Sequence, residues 1–224
     1  MLTQRGIESN PDKCKAIMEM QSSRNVKEVQ RLVGRVVALS RFMPQMAEKV
    51  KPILGLLKKA SRFRWDEQCT QAFNQLKDFL SRPPIIQKPM FGQPILVYLS
   101  VSKETVSSAL VQEMQSEQRP VYFASKTLQD AETRYQMVEK VALALVMTAR
   151  KLRAYFQNHE VVVKTDYPIA KILSKPDLAG RMVGWAVELS EYGIKYEARG
   201  PIKAQVLADF IVEMGNEPIA NQPS

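Results

Sequence analysis

The chain is poor in the residues that carry group-transfer chemistry. Its 224 residues include one histidine, His159, and two cysteines, Cys14 and Cys69. One histidine does not build a Ser–His–Asp or Cys–His nucleophile system. It falls between a helical and a strand pattern, where it reads as a solvated loop residue rather than a base. The cysteines are far apart and have no metal-ligand spacing. Free thiols in a reducing compartment are expected, not a disulfide framework. No apolar run reaches the roughly 18–20 residues that cross a bilayer. The stretch Met1 to Gly6 lacks the apolar core of a secretory signal, so no membrane partner and no secretion are expected. Internal repeats and low-complexity segments are also absent.

What is present supports a folded core. The chain is 45% hydrophobic and 25% charged, ordinary values for a globular protein. Its length suits one large domain or two small ones. Net charge is +9 and the pI about 9.5, which favours polyanionic partners. The excess is local. Between Arg24 and Lys88 basic residues outnumber acidic ones by roughly three to one, and the rest is much closer to balance. A single-sign excess in one helical region reads as a phosphate-facing surface.

The spacing predicts the elements. Gly6 to Lys13 is rich in turn residues. Asn25, with Glu28 three residues later, forms a capping-box pattern. Val26, Val29, Leu32, Val33, Val36 and Val37 follow at helical spacing. A short helix closes on Ile53, Leu54, Leu56 and Leu57. Another opens at Trp65-Asp66, carries Ala72, Phe73, Leu76, Phe79 and Leu80, and stops at Pro83-Pro84. From Pro94 the texture changes. Ile95 to Leu99, Thr105 to Val111 and Arg119 to Ala124 read as three strands. Ala131 to Tyr155 reads as one long helix. Val161-Val162-Val163 is a β-branched run suited to a buried strand. Leu178 to Leu189 reads as helix, Gly193 to Ala198 as strand and Lys203 to Met214 as helix. Gly215 to Ser224 reads as a disordered tail. The order predicts a mixed sheet with helices packed on it. Trp65 and Trp185 are expected as core anchors.

Several local patterns together resemble the gypsy-type LTR retrotransposon Pol polyprotein. Arg5-Gly6-Ile7-Glu8 through Lys13-Cys14-Lys15-Ala16-Ile17 is similar to the end of a polymerase palm. Leu32-Val33-Gly34-Arg35 through Arg41-Phe42 resembles the first thumb helix. Pro52-Ile53-Leu54 through Leu57-Lys58-Lys59, Phe63-Arg64-Trp65 and Ala72-Phe73-Asn74-Gln75-Leu76-Lys77 resemble the thumb-to-connection segment. Arg119-Pro120-Val121-Tyr122-Phe123-Ala124-Ser125-Lys126, Ala131-Glu132-Thr133-Arg134-Tyr135, Lys164-Thr165-Asp166 and Leu207-Ala208-Asp209-Phe210 resemble the ribonuclease H part. Tyr98-Leu99-Ser100 and Gly200-Pro201-Ile202-Lys203-Ala204-Gln205 resemble plant lineages of the family. The resemblance implies an α/β (α+β) architecture: a ribonuclease H-like mixed five-stranded sheet with helices, preceded by a small α-helical thumb and connection. Its implied boundaries are a palm remnant at 1–22, thumb and connection at 23–90, a degenerate ribonuclease H-like domain at 91–214 and the tail at 215–224.

By the same resemblance, four positions would hold metal: Ser100, Val141, Asp166 and Asp209. Two-metal hydrolysis needs carboxylates, because magnesium prefers oxygen ligands in near-octahedral geometry. Serine is a weak neutral substitute and valine offers nothing. Asp166 and Asp209 are remnants whose bland reading is a polar strand end and a polar helix position. Glu139 precedes Val141 by two residues, about 200° around a helix, and faces away. Glu104 lies four residues past Ser100, in a turn. No Asp-Asp pair is present for polymerase chemistry, and the fingers and most of the palm are missing. No cofactor is therefore expected for this fragment, with Mg2+ or Mn2+ implied only if nuclease activity remains.

The resemblance assigns Arg31, Arg35, Arg41, Lys49, Lys51, Lys58, Lys59, Arg62 and Arg64 to phosphate contact, against the bland reading of solvated helix faces. The implied partners are an RNA–DNA hybrid or duplex and other domains of the Pol polyprotein. The implied place is a cytoplasmic virus-like particle, the nucleus, or both. Three functions stay open: a non-catalytic binder or brace, an active ribonuclease H using other ligands, and a protein-interaction module.

Overall fold

The computed structural model describes residues 1–3, 6–58, 63–115, 117–175 and 180–200. The expectations for 203–224, and the residues Lys59, Arg62 and Asp209, lie outside these described residues.

The chain opens with a small antiparallel hairpin, β1 (Leu2–Thr3) and β2 (Gly6–Ile7). Ile86 bridges to Ile7 and ties the hairpin to the later chain. Helix α1 (Pro11–Met18) starts where the Asn10 side chain accepts from the amides of Asp12 and Lys13, satisfying donors that a helix start leaves unpaired. Helix α2 (Val26–Ala38) begins at Asn25, whose Oδ1 accepts from the Glu28 amide at 3.0 Å. The reciprocal bond of the capping box moves back one residue: Glu28 Oε2 accepts from the Arg24 amide at 2.7 Å. Val29, Leu32 and Val36 face inward on α2, and Val37 stands 53% exposed.

A 3-10 turn (Ser40–Phe42) leads to α3 (Met46–Lys49) and α4 (Lys51–Lys58). Helix α5 (Glu67–Ser81) is capped by Asp66, which accepts from the Cys69 amide at 2.9 Å. That bond holds the Asp66 carboxyl below its ordinary range. Trp65 meets Phe73 edge-on, as expected of a core anchor.

The sheet follows: β3 (Ile95–Val101), β4 (Thr105–Met114), β5 (Glu117–Thr127), β6 (Val161–Lys164) and β7 (Lys195–Glu197). Spatial order is β5-β4-β3-β6-β7. The β3–β4 and β4–β5 pairs are antiparallel, and β3–β6 and β6–β7 are parallel. This is the expected mixed five-stranded sheet.

The single helix expected over Ala131 to Tyr155 is three pieces: α6 (Asp130–Thr133), α7 (Met137–Lys151) and α8 (Arg153–Asn158). The reason is capping. Glu132 accepts from the Gln129 amide and Glu139 from the Gln136 amide, at 2.8 and 2.9 Å. Each glutamate closes the start of its own helix, so the 3.6 period continues across a break that periodicity alone does not reveal. Helices α9 (Ile169–Leu173) and α10 (Arg181–Ser190) complete the order.

Strand alternation divides the core into two layers. Leu96, Tyr98, Ala109, Val111, Phe123 and Val162 face the N-terminal helices and join Ile17, Leu32, Phe73 and Leu76 in one apolar layer. Ile95, Val97, Leu99, Val106, Leu110, Val161 and Val163 face α7 and α10 and join Val141, Leu145, Phe156 and Trp185 in the other. The sheet is thus covered on both faces, and the N-terminal helices share their core with it.

Candidate nucleic-acid interface and the remnant metal positions

The cations expected to meet phosphate fall into two groups. Some are engaged internally. Arg35 donates from Nη1 to the Ala16 carbonyl at 2.7 Å, tying α2 to α1. The Lys51 amino group lies 2.5 Å from Glu104. The Arg41 guanidinium sits over the Phe42 ring and the Lys49 amino group over Phe79, 4.9 and 5.9 Å from the centroids. Arg31, Lys58 and Arg64 are exposed, with no hydrogen bond or ion pair among the described residues.

Arg31 and Arg35 share a cleft of about 580 Å³ between α1 and α2. Lys13 stands on its α1 side, and Ala16, Gly34 and Ala38 leave it shallow-walled. Asn10 and Asp12 also border it. Sequence reasoning passed over Lys13 and Gly34. Gly34 carried a signal, since a glycine mid-helix costs about 1 kcal/mol against alanine; in the structure a side-chain carbon there would meet nothing within 4 Å. Folding does not require that glycine, whereas close approach by a partner would.

The remnant positions form no metal site on the described residues. Ser100 ends a row of three serines, Ser100–Ser107–Ser125, paired across β3, β4 and β5. Ser100 is buried, and its hydroxyl accepts from Gln45 Nε2 at 3.2 Å. Asp166 lies two residues past Lys164, the end of β6, whose β3 partner is Tyr98. It is exposed and accepts from the Arg199 amide at 3.1 Å. Val141 is 2% exposed and belongs to the α7 layer, with Leu99 and Val101 rather than Ser100 on the strand beside it.

Both substitute carboxylates are committed elsewhere. Glu139 caps α7 and pairs with Arg181 at 2.8 Å. Glu104 pairs with Lys51, which holds its carboxyl below the usual range. Lys140, also missed from sequence, is buried and donates from Nζ to the Lys103 carbonyl at 2.9 Å. It brings a fixed ammonium group to the β3–β4 turn. One hydroxyl, one isopropyl group, one exposed carboxylate and a nearby ammonium do not fit a magnesium ion, which takes oxygen ligands. Among the described residues no three His, Cys, Asp or Glu side chains are grouped to hold a metal. His159 departs from the solvated-loop expectation. It is half-buried, and its Nδ1 is shielded from water without a hydrogen-bond partner among the described residues.

The sheet order, the helices on both faces and the strand directions define a ribonuclease H-like fold. Residues 65–163 match the family described as RNase H-like domain found in reverse transcriptase. Along nearly its whole length the chain is similar to retrotransposon Pol polyproteins. It is 29% identical over 224 residues to the retrovirus-related Pol polyprotein from transposon opus of Drosophila melanogaster, covering 94% of this chain and 22% of that protein. It is 24% identical over 222 residues to the transposon Tf2-3 polyprotein of Schizosaccharomyces pombe, covering 96% and 17%. The chain thus spans about a fifth of the length of these relatives. The foamy viral protease-reverse transcriptase in complex with RNA/DNA hybrid shares the fold, with a TM-score of 0.77 at 19% identity over all of this chain and 30% of that one. No helix among the described residues is long and apolar enough to cross a membrane.

Proposed function

We propose that this chain is a non-catalytic part of a gypsy-type, plant-lineage retrotransposon reverse transcriptase polyprotein. It grips duplex nucleic acid through its N-terminal helices and braces the larger enzyme through its sheet. The observation that carries this reading is the α1–α2 cleft, where Lys13, Arg31 and Arg35 surround a floor of small residues. Cations spaced around a floor of small residues suit a phosphate backbone read by charge and shape, not by base sequence. The bracing role draws on the apolar layer shared by the helices and the sheet. The donor set at Ser100, Val141 and Asp166 supports the non-catalytic part. Work in a cytoplasmic particle or the nucleus follows from such a substrate.

The test is binding of a labelled RNA–DNA hybrid across a salt series. Arg31→Ala is the clean variant, since Arg35→Ala also removes the bond to Ala16. A Lys13→Ala, Arg31→Ala, Arg35→Ala variant should bind more weakly, and its log–log salt slope should flatten by about 0.9 for each phosphate no longer neutralised. Gly34→Ala should leave the melting temperature no lower, because an added Cβ meets nothing within 4 Å, and should weaken binding if a partner sits on that floor. A Lys58→Ala, Lys59→Ala, Arg62→Ala, Arg64→Ala variant probes the α4 end. If that variant alone loses affinity, the grip lies there and not in the cleft. Unchanged binding in both sets sinks the nucleic-acid reading. Cleavage of the hybrid by the unmodified chain, in magnesium or manganese, sinks the non-catalytic one.

A further inference from the structure

The polar end of the sheet near Ser100 is closed from inside the molecule. The segment from Gln45 to Lys51 lies across it. Gln45 Nε2 donates to Ser100 Oγ at 3.2 Å, and the Ala47 amide donates to Ser125 Oγ at 2.9 Å. Glu48 Oε2 accepts from Ser102 Oγ at 3.0 Å and from Thr105 Oγ1 at 2.6 Å. Those two hydroxyls are 2.9 Å apart. Lys51 completes the set through Glu104. One short segment thus makes five polar bonds to the ends of β3, β4 and β5 and the turn between β3 and β4.

Two features mark this as a built seat. Gln45 is buried and holds a left-handed backbone at φ 52°, a conformation that costs a residue with a side chain and persists where surroundings impose it. The sheet also answers in kind. The serine row gives α3 short side chains to approach and hydroxyls to bond, where the next row on the same face is Tyr98, Ala109 and Phe123.

We infer that Gln45–Lys51 is an internal latch. It has taken over the strand end at which a metal-bearing relative would display its ligands, and it locks the N-terminal helices to the sheet. The hydroxyl of Ser100 is then a hydrogen-bond acceptor for a helix segment and not a vestige of metal binding. The latch rests on the proposed function only for its importance to bracing. The two fail on different grounds, because hydrogen exchange reads the latch without nucleic acid.

The experiment is amide hydrogen exchange on the whole chain, paired with NMR line broadening by Mn2+. Glu48→Ala should raise exchange at 45–51 and, by a similar factor, at 100–105. Glu48→Gln keeps an acceptor for the two hydroxyls and should restore most protection. This separates the latch from general loosening of the fold. Mn2+ should not selectively broaden Ser100 or Asp166, either in the unmodified chain or in Ser100→Asp, whose new carboxylate would bond Gln45. Faster exchange confined to 45–51, or selective broadening at Ser100 and Asp166, would overturn the inference.

Discussion

The two faces of the sheet are closed by different physics. Against α7 and α10 the strands present valine, leucine and isoleucine, and the facing helix positions are mainly alanine, leucine and valine on α7, with Met182, Trp185 and Leu189 on α10. Polar groups do occur there: Thr148 bonds Ser108 and its own helix carbonyl at 2.7 and 2.6 Å, and Lys140 is buried against the Lys103 carbonyl. Against the N-terminal helices the same strands are apolar at one end and hydroxyl-bearing at the other. An apolar face tolerates sliding of similar shapes, because burial is non-directional. A face that ends in a set of directional bonds fixes one register. The α7 side is a core, whereas the opposite side is a core plus a lock.

The sharpest way to break this comparison is to place a carboxylate on each face. Val141→Glu puts an ionisable group into the apolar α7 layer, where Val141 is 2% exposed. Burying an unpaired charge costs several kcal/mol, so a loss of about 4 kcal/mol and a melting temperature about 10 °C lower are expected. Ser100→Asp meets the Gln45 amide and should cost about 1 kcal/mol. Thermal melts of the two single variants decide it. Equal losses would mean that the faces do not differ in this way. The pair also shows why restoring both side chains is not a neutral route to an active nuclease.

Much of this was legible in the residues. The β-branched run at Val161–Val163 is a buried central strand. Asn25 and Asp66 start the helices they were expected to start. Pro83-Pro84 follows the end of α5 at Ser81. Period and capping chemistry are local, so sequence carries them. The breaks inside 131–155 were hidden because glutamate at the third helix position looks the same inside a helix as at its start. The seat of Gln45 and Glu48 was hidden for another reason. Its partners are more than 50 residues away in the chain, and no spacing rule links them. Lys140 was obscured likewise, since an ammonium group in a helical stripe reads as solvent-facing until the Lys103 carbonyl is found beside it.

A smaller effect tests the α7 side through pH. Tyr196 lies on edge strand β7, partly buried beside that layer, and burial pushes its phenol up to about 12. The ordinary value is near 10. A raised folded value favours the protonated form, so this stabilisation is complete below pH 10 and lost as pH rises through about 12. The two-unit difference corresponds to about 2–3 kcal/mol, and partial exposure reduces it toward 2. Tyr196→Phe should flatten the fall in stability between these pH values in denaturant melts. A variant that keeps the full slope would show that some other group titrates there.

The smallest effect belongs to the lock's ion pair. Lys51 and Glu104 approach to 2.5 Å, but each side chain is 42% exposed. Solvent screening therefore holds their contribution to about 1 kcal/mol or less. Their bond lowers the Glu104 value and raises that of Lys51. The Glu104 share is present above its ordinary carboxylate range and is lost as pH falls through its lowered folded value. The Lys51 share is present below the ordinary lysine range and is lost as pH rises through its raised one. Glu104→Gln should lower stability slightly at neutral pH in dilute buffer, and the difference should shrink in about 1 M salt, where charges are screened within about 3 Å. Glu48→Ala should cost more and respond less to salt, because it removes the acceptor of two hydroxyl bonds as well as a charge. If Glu104→Gln proved the more damaging, the lock would be electrostatic and the serine row incidental. If Glu48→Ala does, directional hydrogen bonds hold this face, and the ion pair only trims the rim.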